Sequence, residues 1–157
     1  MTPTPVRPAQ RADLPAVAAL WAALLDSHAA LDPVFALRAG AAAALEGEVV
    51  RAFEDPDTAL FVAEAEDRVV GFCAAHFERG PALARESCRA EITELVVESA
   101  ACRRGIGRGL AESALDWARH RGAARVEVRV AARNDAGQAF WRGIGFGAFV
   151  DVLDHRL

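Results

Sequence analysis

Apolar and polar positions along the chain follow two rhythms. In LPAVAALWAALLDSH, Leu14, Val17, Leu20, Trp21, Leu24, Leu25 and His28 recur at helical spacing, and Asp13 before the run predicts an N-cap. Asp32-Pro33 ends that helix, and a weaker one runs from about Arg38 to Phe53 before Asp55-Pro56. TALFVAEAE and VVGFCAAHFER are then β-like, joined by the tight turn EDR, and predict a hairpin. RAEITELVVES predicts a third strand, with Ile92, Leu95, Val96 and Val97 apolar and Thr93 β-branched. A helix is expected from about Gly105 to His120, with Arg121-Gly122 as its stop. ARVEVRVAA alternates as a strand. Asn134 or Asp135 then caps a short helix through Trp141, and GFGAFVDVL predicts a closing strand. With a short edge strand at Thr4–Pro8, the order is β-α-α-β-β-β-α-β-α-β, an α/β chain with a mixed sheet.

Composition narrows the class. The 157 residues suit one domain, 1–157, and contain no internal repeat or long linker. Apolar residues make up 53% and charged residues 25%, as in a globular chain with a sizeable core. No apolar run approaches the ~20 residues of a membrane span. The opening MTPTPVRPAQRADLP lacks a signal-peptide pattern, so a cytoplasmic location is expected. Cys73, Cys88 and Cys102 are odd in number and form no C-x-x-C pair, so neither a zinc site nor a disulfide framework is expected. The net charge of −4 argues against general nucleic-acid binding and is compatible with a cationic substrate. The chain has no Lys, and no Tyr to serve as a catalytic acid.

The stretch CRRGIGRGL carries the first chemistry. Glycines and three Arg at a helix start make a site for a phosphate: the first amides of the helix are unpaired, and glycine lets an anion approach the backbone. A Walker A loop would need G-K-[ST], and there is no Lys. A dinucleotide fingerprint would need Gly or Ala where Leu110 stands, inside a βαβ unit that this order lacks. A basic RNA-binding patch conflicts with the acidic total and with the amphipathic helix that follows. A plain turn is the remaining alternative.

AEITELVVESAACRRGIGRGLAESAL resembles the central motif of the GCN5-related N-acetyltransferases: a strand with an L-x-V segment, an R/Q-x-x-G-x-G/A loop, then a helix. Downstream, NDAGQAFWRGIGF resembles the family's N-x-x-A-x-x-x-Y-x-x-x-G-F segment. The resemblance implies a V-shaped sheet that splays between the strands at Glu91–Val97 and Arg125–Val130, with acetyl-CoA as co-substrate in the splay. It implies pantetheine against the backbone of Val96 and Val97 and pyrophosphate on the loop of Cys102, Arg103, Arg104, Gly105, Ile106, Gly107 and Arg108. It further implies Leu95 N–H as oxyanion donor, Asn134 on the cofactor arm, and acceptor specificity from the first two helices and the loop at Arg79–Ser87. Two departures stand out. Cys102 falls where the family prefers Gln or Arg, and Trp141 where it often carries a Tyr acid; indole N–H is far too weak an acid for that role.

Glu91 and Glu94 are the candidate bases. Three positions apart, they face opposite sides of a regular strand, so only one reaches substrate unless a bulge re-aims the chain. His76 is a further base or contact, read first as structural, as is His28; Asp26 and Asp32 are candidates for the amine pocket. Cys102 beside Arg103 and Arg104 lacks a local His partner and is not assigned as a nucleophile. The resulting expectation is direct transfer of acetyl from acetyl-CoA to the primary amine of a small molecule or peptide, without metal. The rival is a non-catalytic acyl-CoA sensor, and a third reading is an RNA-associated protein. The last strand and the first helix are candidate surfaces for a homodimer.

Overall fold

The computed structural model describes residues 4–157; the expected signal-free start includes Met1, Thr2 and Pro3, which lie outside the described residues. Its elements are β1 (Val6–Pro8), α1 (Leu14–Ala29), α2 (Ala41–Glu54), β2 (Thr58–Ala65), β3 (Arg68–Arg79), β4 (Cys88–Val97), α3 (Ile106–His120), β5 (Arg125–Val128) and α4 (Asp135–Gly143). The five strands form one sheet in chain order, antiparallel except for β4 and β5, which run parallel. The chain therefore has the expected α/β fold with a mixed sheet and four flanking helices.

Local chemistry explains most of these elements. The β2–β3 hairpin closes on Glu66 and Asp67, both left-handed at φ 51° and 57°, as a two-residue hairpin turn requires. Pro33 stops α1 and begins a short 3-10 turn, capped by Asp32, which accepts the Val34 amide at 2.9 Å. Asp13 occupies the N-cap position of α1 without capping it. Its carboxylate instead accepts the Gln10 amide and both terminal nitrogens of Arg7, which also binds Glu64. One guanidinium thus ties β1 to α1 and to β2.

Burial divides the sheet into two faces. Leu60, Val62, Phe72 and Ala74 pack beneath α1 and α2 with Val17 and Val49. Phe61, Ala63, Cys73, Ala75 and Ile92 pack against α3 through Leu110, Ala111 and Ala114. Alternation along β2 and β3 sets this division.

The expected closing strand does not form. Residues 146–157 carry no strand, and Phe149, Val150, Val152 and Leu153 are exposed. Among the described residues no segment pairs with the outer edge of β5, which stays free.

Candidate active site

The parallel pairing of β4 with β5 lasts only from Arg89↔Arg125 to Ile92↔Val128. Beyond Ile92, β4 continues to Val97 with no paired strand on that side among the described residues, and the sheet opens. At the same point β4 is bulged: Ala75 pairs with Ile92 and Ala74 with Glu94, so Thr93 is the extra residue. The bulge rephases the strand. Ile92 and Leu95 both pack on the α3 face, and the side chains of Glu91 and Glu94 fall together on the α1/α2 face. The two carboxylates that a regular strand would separate are thus neighbours, and the charge on Glu91 helps to raise the Glu94 carboxyl.

Their surroundings differ. Glu94 is partly buried, and desolvation is the main reason its carboxyl lies above the usual range; a hydrogen bond from Thr93 Oγ1 opposes this. Glu91 lies within salt-bridge reach of Arg129, at 3.4 Å, and of Arg89, at 3.7 Å, and lines neither cavity described below. A desolvated carboxylate such as Glu94 is a better proton acceptor than a solvated one.

The open edge of β4 offers hydrogen-bonding groups. The Glu98 amide donates to the Val70 carbonyl of β3 at 2.8 Å. Peptide groups alternate along a strand, so Val96 also faces β3, while the amides of Leu95 and Val97 point to the open side. The edge positions are therefore Leu95 and Val97. Val96 turns its backbone to β3 and its side chain to the α1/α2 core.

Between the splayed strands lies a cavity of about 630 Å³. Its walls include Leu95, Val97, Cys102, Arg103, Gly105, Ile106, Gly107, Arg108, Asn134 and Trp141 from the expected set, with Glu94 and Thr93 at one end. Arg104 is exposed and lies outside this lining. The loop into α3 uses two left-handed residues, Arg103 at φ 61° and Gly105 at φ 78°. From Arg103 to Arg108 no amide donates to a backbone carbonyl among the described residues; the first that does is Gly109, to Gly105 at 3.0 Å. This is the row of unpaired donors that a helix start presents to an anion. Gly107 serves packing: a Cβ there would sit 3.3 Å from the Phe140 ring, so glycine lets α3 and α4 close at the cavity floor.

In the second motif, Asn134 caps α4 by accepting the Gly137 amide at 2.9 Å. A Cβ on residue 137 would come 2.5 Å from Asn134 Nδ2, so Ala there would require the Asn134 side chain to shift. Trp141 is buried, edge-to-face with Phe140 and Phe146, and supplies an apolar wall. Cys102 is exposed, and its thiol points to the carbonyls of Val97 and Glu98. Cys73 is fully buried, and desolvation drives its thiol far up.

A second cavity, of about 450 Å³, lies on the α1/α2 face between Trp21, Val49, Asp55, Thr58 and His76, and shares Thr93 and Glu94 with the first. The expected Arg79–Ser87 loop lines neither cavity, because it enters β4 at the end opposite the splay. His28 lines the first cavity, and its Nδ1 lies 2.9 Å from the Leu24 carbonyl. Asp26 is exposed, and Asp32 is engaged by Val34 N–H and by Arg156 at 3.1 Å. Sequence reading missed Arg89 and Arg129, whose charges follow strand alternation without any motif. It also missed Asp55, which reads as a helix stop beside Pro56. Among the described residues no three His, Cys, Asp or Glu side chains gather as a metal site, and no helix is long and apolar enough to cross a membrane.

Residues 21–146 match the model of the acetyltransferase (GNAT) family, and the chain belongs to that family. No curated protein sequence matches. Solved structures with the same fold include a transcriptional regulator from Bacillus halodurans C-125, 22% identical over 98% of this chain and 99% of that one, with a TM-score of 0.78. Another is the aminoglycoside N-acetyltransferase AAC(6')-Iy in complex with CoA, 17% identical over 98% and 94%, TM-score 0.78. A third is an aminoglycoside acetyltransferase from an uncultured soil metagenomic sample in complex with sisomicin, 19% identical over 99% and 95%, TM-score 0.71.

Proposed function

We propose that the protein transfers acetyl from acetyl-CoA to a primary amine by direct attack. One observation carries this reading: the bulge at Thr93 coincides with the splay, so Glu94 lines both cavities and Leu95, next to it, lines the first. The site suits the co-substrate by its own features, an unpaired strand edge for an extended amide-bearing arm and a row of free loop amides for a pyrophosphate. When bound, acetyl-CoA supplies an activated thioester. Leu95 and Val97 hold the arm, the loop from Arg103 to Arg108 holds the pyrophosphate, and Trp141 and Phe140 floor the cavity.

The amine enters from the α1/α2 face. Glu94 takes its proton, which leaves the nitrogen lone pair free to attack the thioester carbon. The Leu95 N–H donates to the oxygen as negative charge develops there. The C–S bond breaks, the amide forms, and the thiolate takes a proton from water, since Trp141 cannot act as the acid and the chain has no Tyr. A thiol with a pKa near ~8.5 is a good enough leaving group for this. Glu91, beside Arg89 and Arg129, raises Glu94 through its charge.

The solved relatives that carry CoA and sisomicin support an acceptor rich in amines. The three free cysteines support a reducing, cytoplasmic setting. The exposed apolar run from Phe149 to Leu153 and the free edge of β5 support a homodimer. Trp141 in place of an acid favours the second reading, an acyl-CoA sensor.

The test is a calorimetric titration of CoA-free protein with acetyl-CoA, followed by thiol release with an amine panel. The expected result is saturable binding, weakened at least ~100-fold by Gly105→Asp and far less by Gly105→Asn. Both variants carry the same left-handed backbone cost, and only Asp adds charge at the anion site. No binding by folded protein refutes the reading; binding without thiol release for any amine selects the sensor.

A further inference from the structure

The second cavity has a distinct chemistry: Glu48, Asp55 and Glu94 bring three carboxylates to its wall, against one guanidinium, Arg51. Thr58 Oγ1 donates to Asp55 Oδ2 at 2.7 Å and lies 3.0 Å from His76 Nδ1. A hydroxyl has one proton, and a carboxylate only accepts, so that proton belongs to Asp55. In the neutral imidazole, Nδ1–H then faces Thr58 Oγ1 and Asp55 Oδ2, the latter at 3.4 Å, and Nε2 carries the lone pair. Nε2 makes no hydrogen bond among the described residues, and His76 lines the cavity. The Asp55 carboxyl is held below the usual range, first by Thr58 and then by the Asp57 amide, and so stays charged at neutral pH. Glu48 adds a further carboxylate. The one cation of the lining, Arg51, is already paired with it. Between these groups and Glu94 the wall is apolar, with Val17, Trp21 and Leu60.

A cavity with acceptors at both ends and hydrocarbon between them fits one ligand class. We propose that it seats a second ammonium of the acceptor, so that the substrate is an oligoamine: one nitrogen meets Glu94 for acetylation, and another donates to His76 Nε2 and Asp55. The intervening methylenes lie along Val17, Trp21 and Leu60. His76 and Asp55 are then specificity residues, acting on the end of the substrate that does not react. This inference rests on the acetyl transfer proposed above.

The experiment compares 1,4-diaminobutane and spermidine with n-butylamine as acceptors, for the wild-type protein, His76→Phe and Asp55→Asn. The expected advantage of the diamine in kcat/KM is about tenfold, the worth of one charge-assisted hydrogen bond in a half-exposed site. Either substitution should bring the diamine down to the monoamine through KM, with acetyl-CoA affinity unchanged. The acetyl-CoA titration also shows that each variant is folded. Equal use of diamine and monoamine by the wild-type protein overturns the inference, as does an advantage that survives both substitutions, or turnover of none of these amines by protein that binds acetyl-CoA. Failure of the wild-type protein to bind acetyl-CoA removes the transferase reading itself, and this inference with it.

Discussion

Replacing Glu94 by Gln isolates the proton-transfer step. Gln keeps the volume and still accepts the hydrogen bond from Thr93, so the bulge is preserved. The magnitude follows from the amine. A primary alkylamine with a pKa of about 10.4 is neutral in roughly one molecule in 2,500 at pH 7. If Glu94 removes the proton in place, its loss leaves only that neutral fraction to react, and kcat/KM at pH 7 should fall about 10³-fold. The variant should then gain about tenfold per pH unit toward pH 9, while the wild-type protein depends on pH more weakly over that range. Stability should move the other way. The Glu94 carboxyl is raised in the folded protein, so the folded state binds the proton more tightly than the unfolded chain does. Its contribution is full below the unfolded carboxylate value and is lost as pH rises through the folded one. Glu94→Gln should therefore raise Tm at pH 7 and lose that gain at about pH 4, where the wild-type carboxyl is protonated in the folded state. Thiol release against pH and a thermal melt at two pH values check both. Activity within about threefold of wild type at pH 7, with a parallel pH profile, refutes Glu94 as the base.

Glu91→Gln should remove the like charge, lower the Glu94 carboxyl and move the acid limb of the pH profile to lower pH, at a much smaller cost in rate than Glu94→Gln; steady-state kinetics between pH 4 and pH 9 read this. Asp13 lies below the usual carboxylate range, chiefly through its hydrogen bonds from Arg7. Its contribution is present above the unfolded value and lost as pH falls, so Asp13→Asn should lower Tm at pH 7 and converge with wild type below about pH 4. Leu110 is fully buried between α3 and the sheet, so Leu110→Ala should cost about 3 kcal/mol, or roughly 6–12 °C in Tm by calorimetry.

Much of the architecture is legible in the sequence because it is set by neighbours along the chain. The hairpin is written in its alternation and in a two-residue turn. The start of α3 is written in Gly105 and the amphipathic run that follows, and the start of α4 in Asn134, whose side chain caps it. The loop residues Cys102, Arg103, Gly105, Ile106, Gly107 and Arg108 reach the cavity together because they are consecutive on one turn and one helix start. The closing strand was misread for the complementary reason. GFGAFVDVL has the apolar pattern of a strand, yet a strand exists only where backbone pairing is made, and residues 146–157 make none with the free edge of β5.

The chemistry of the site was decided by the tertiary structure. Alternation in RAEITELVVES places Glu91 and Glu94 on opposite faces; pairing with β3 bulges Thr93 out and brings them to one. That Glu94 is desolvated while Glu91 lies beside Arg89 and Arg129, the latter just past the end of β5, depends on how distant segments pack. Asp55, Thr58 and His76 likewise come from a helix end and two strands whose pairing sets Thr58 opposite His76. Local sequence fixes which residues can make a helix, a turn or an anion loop, since those depend on backbone torsions a few residues apart. Which carboxylate is desolvated, which is paired and which acceptors share a cavity depends on distances between segments, and those exist only once the sheet has set its register.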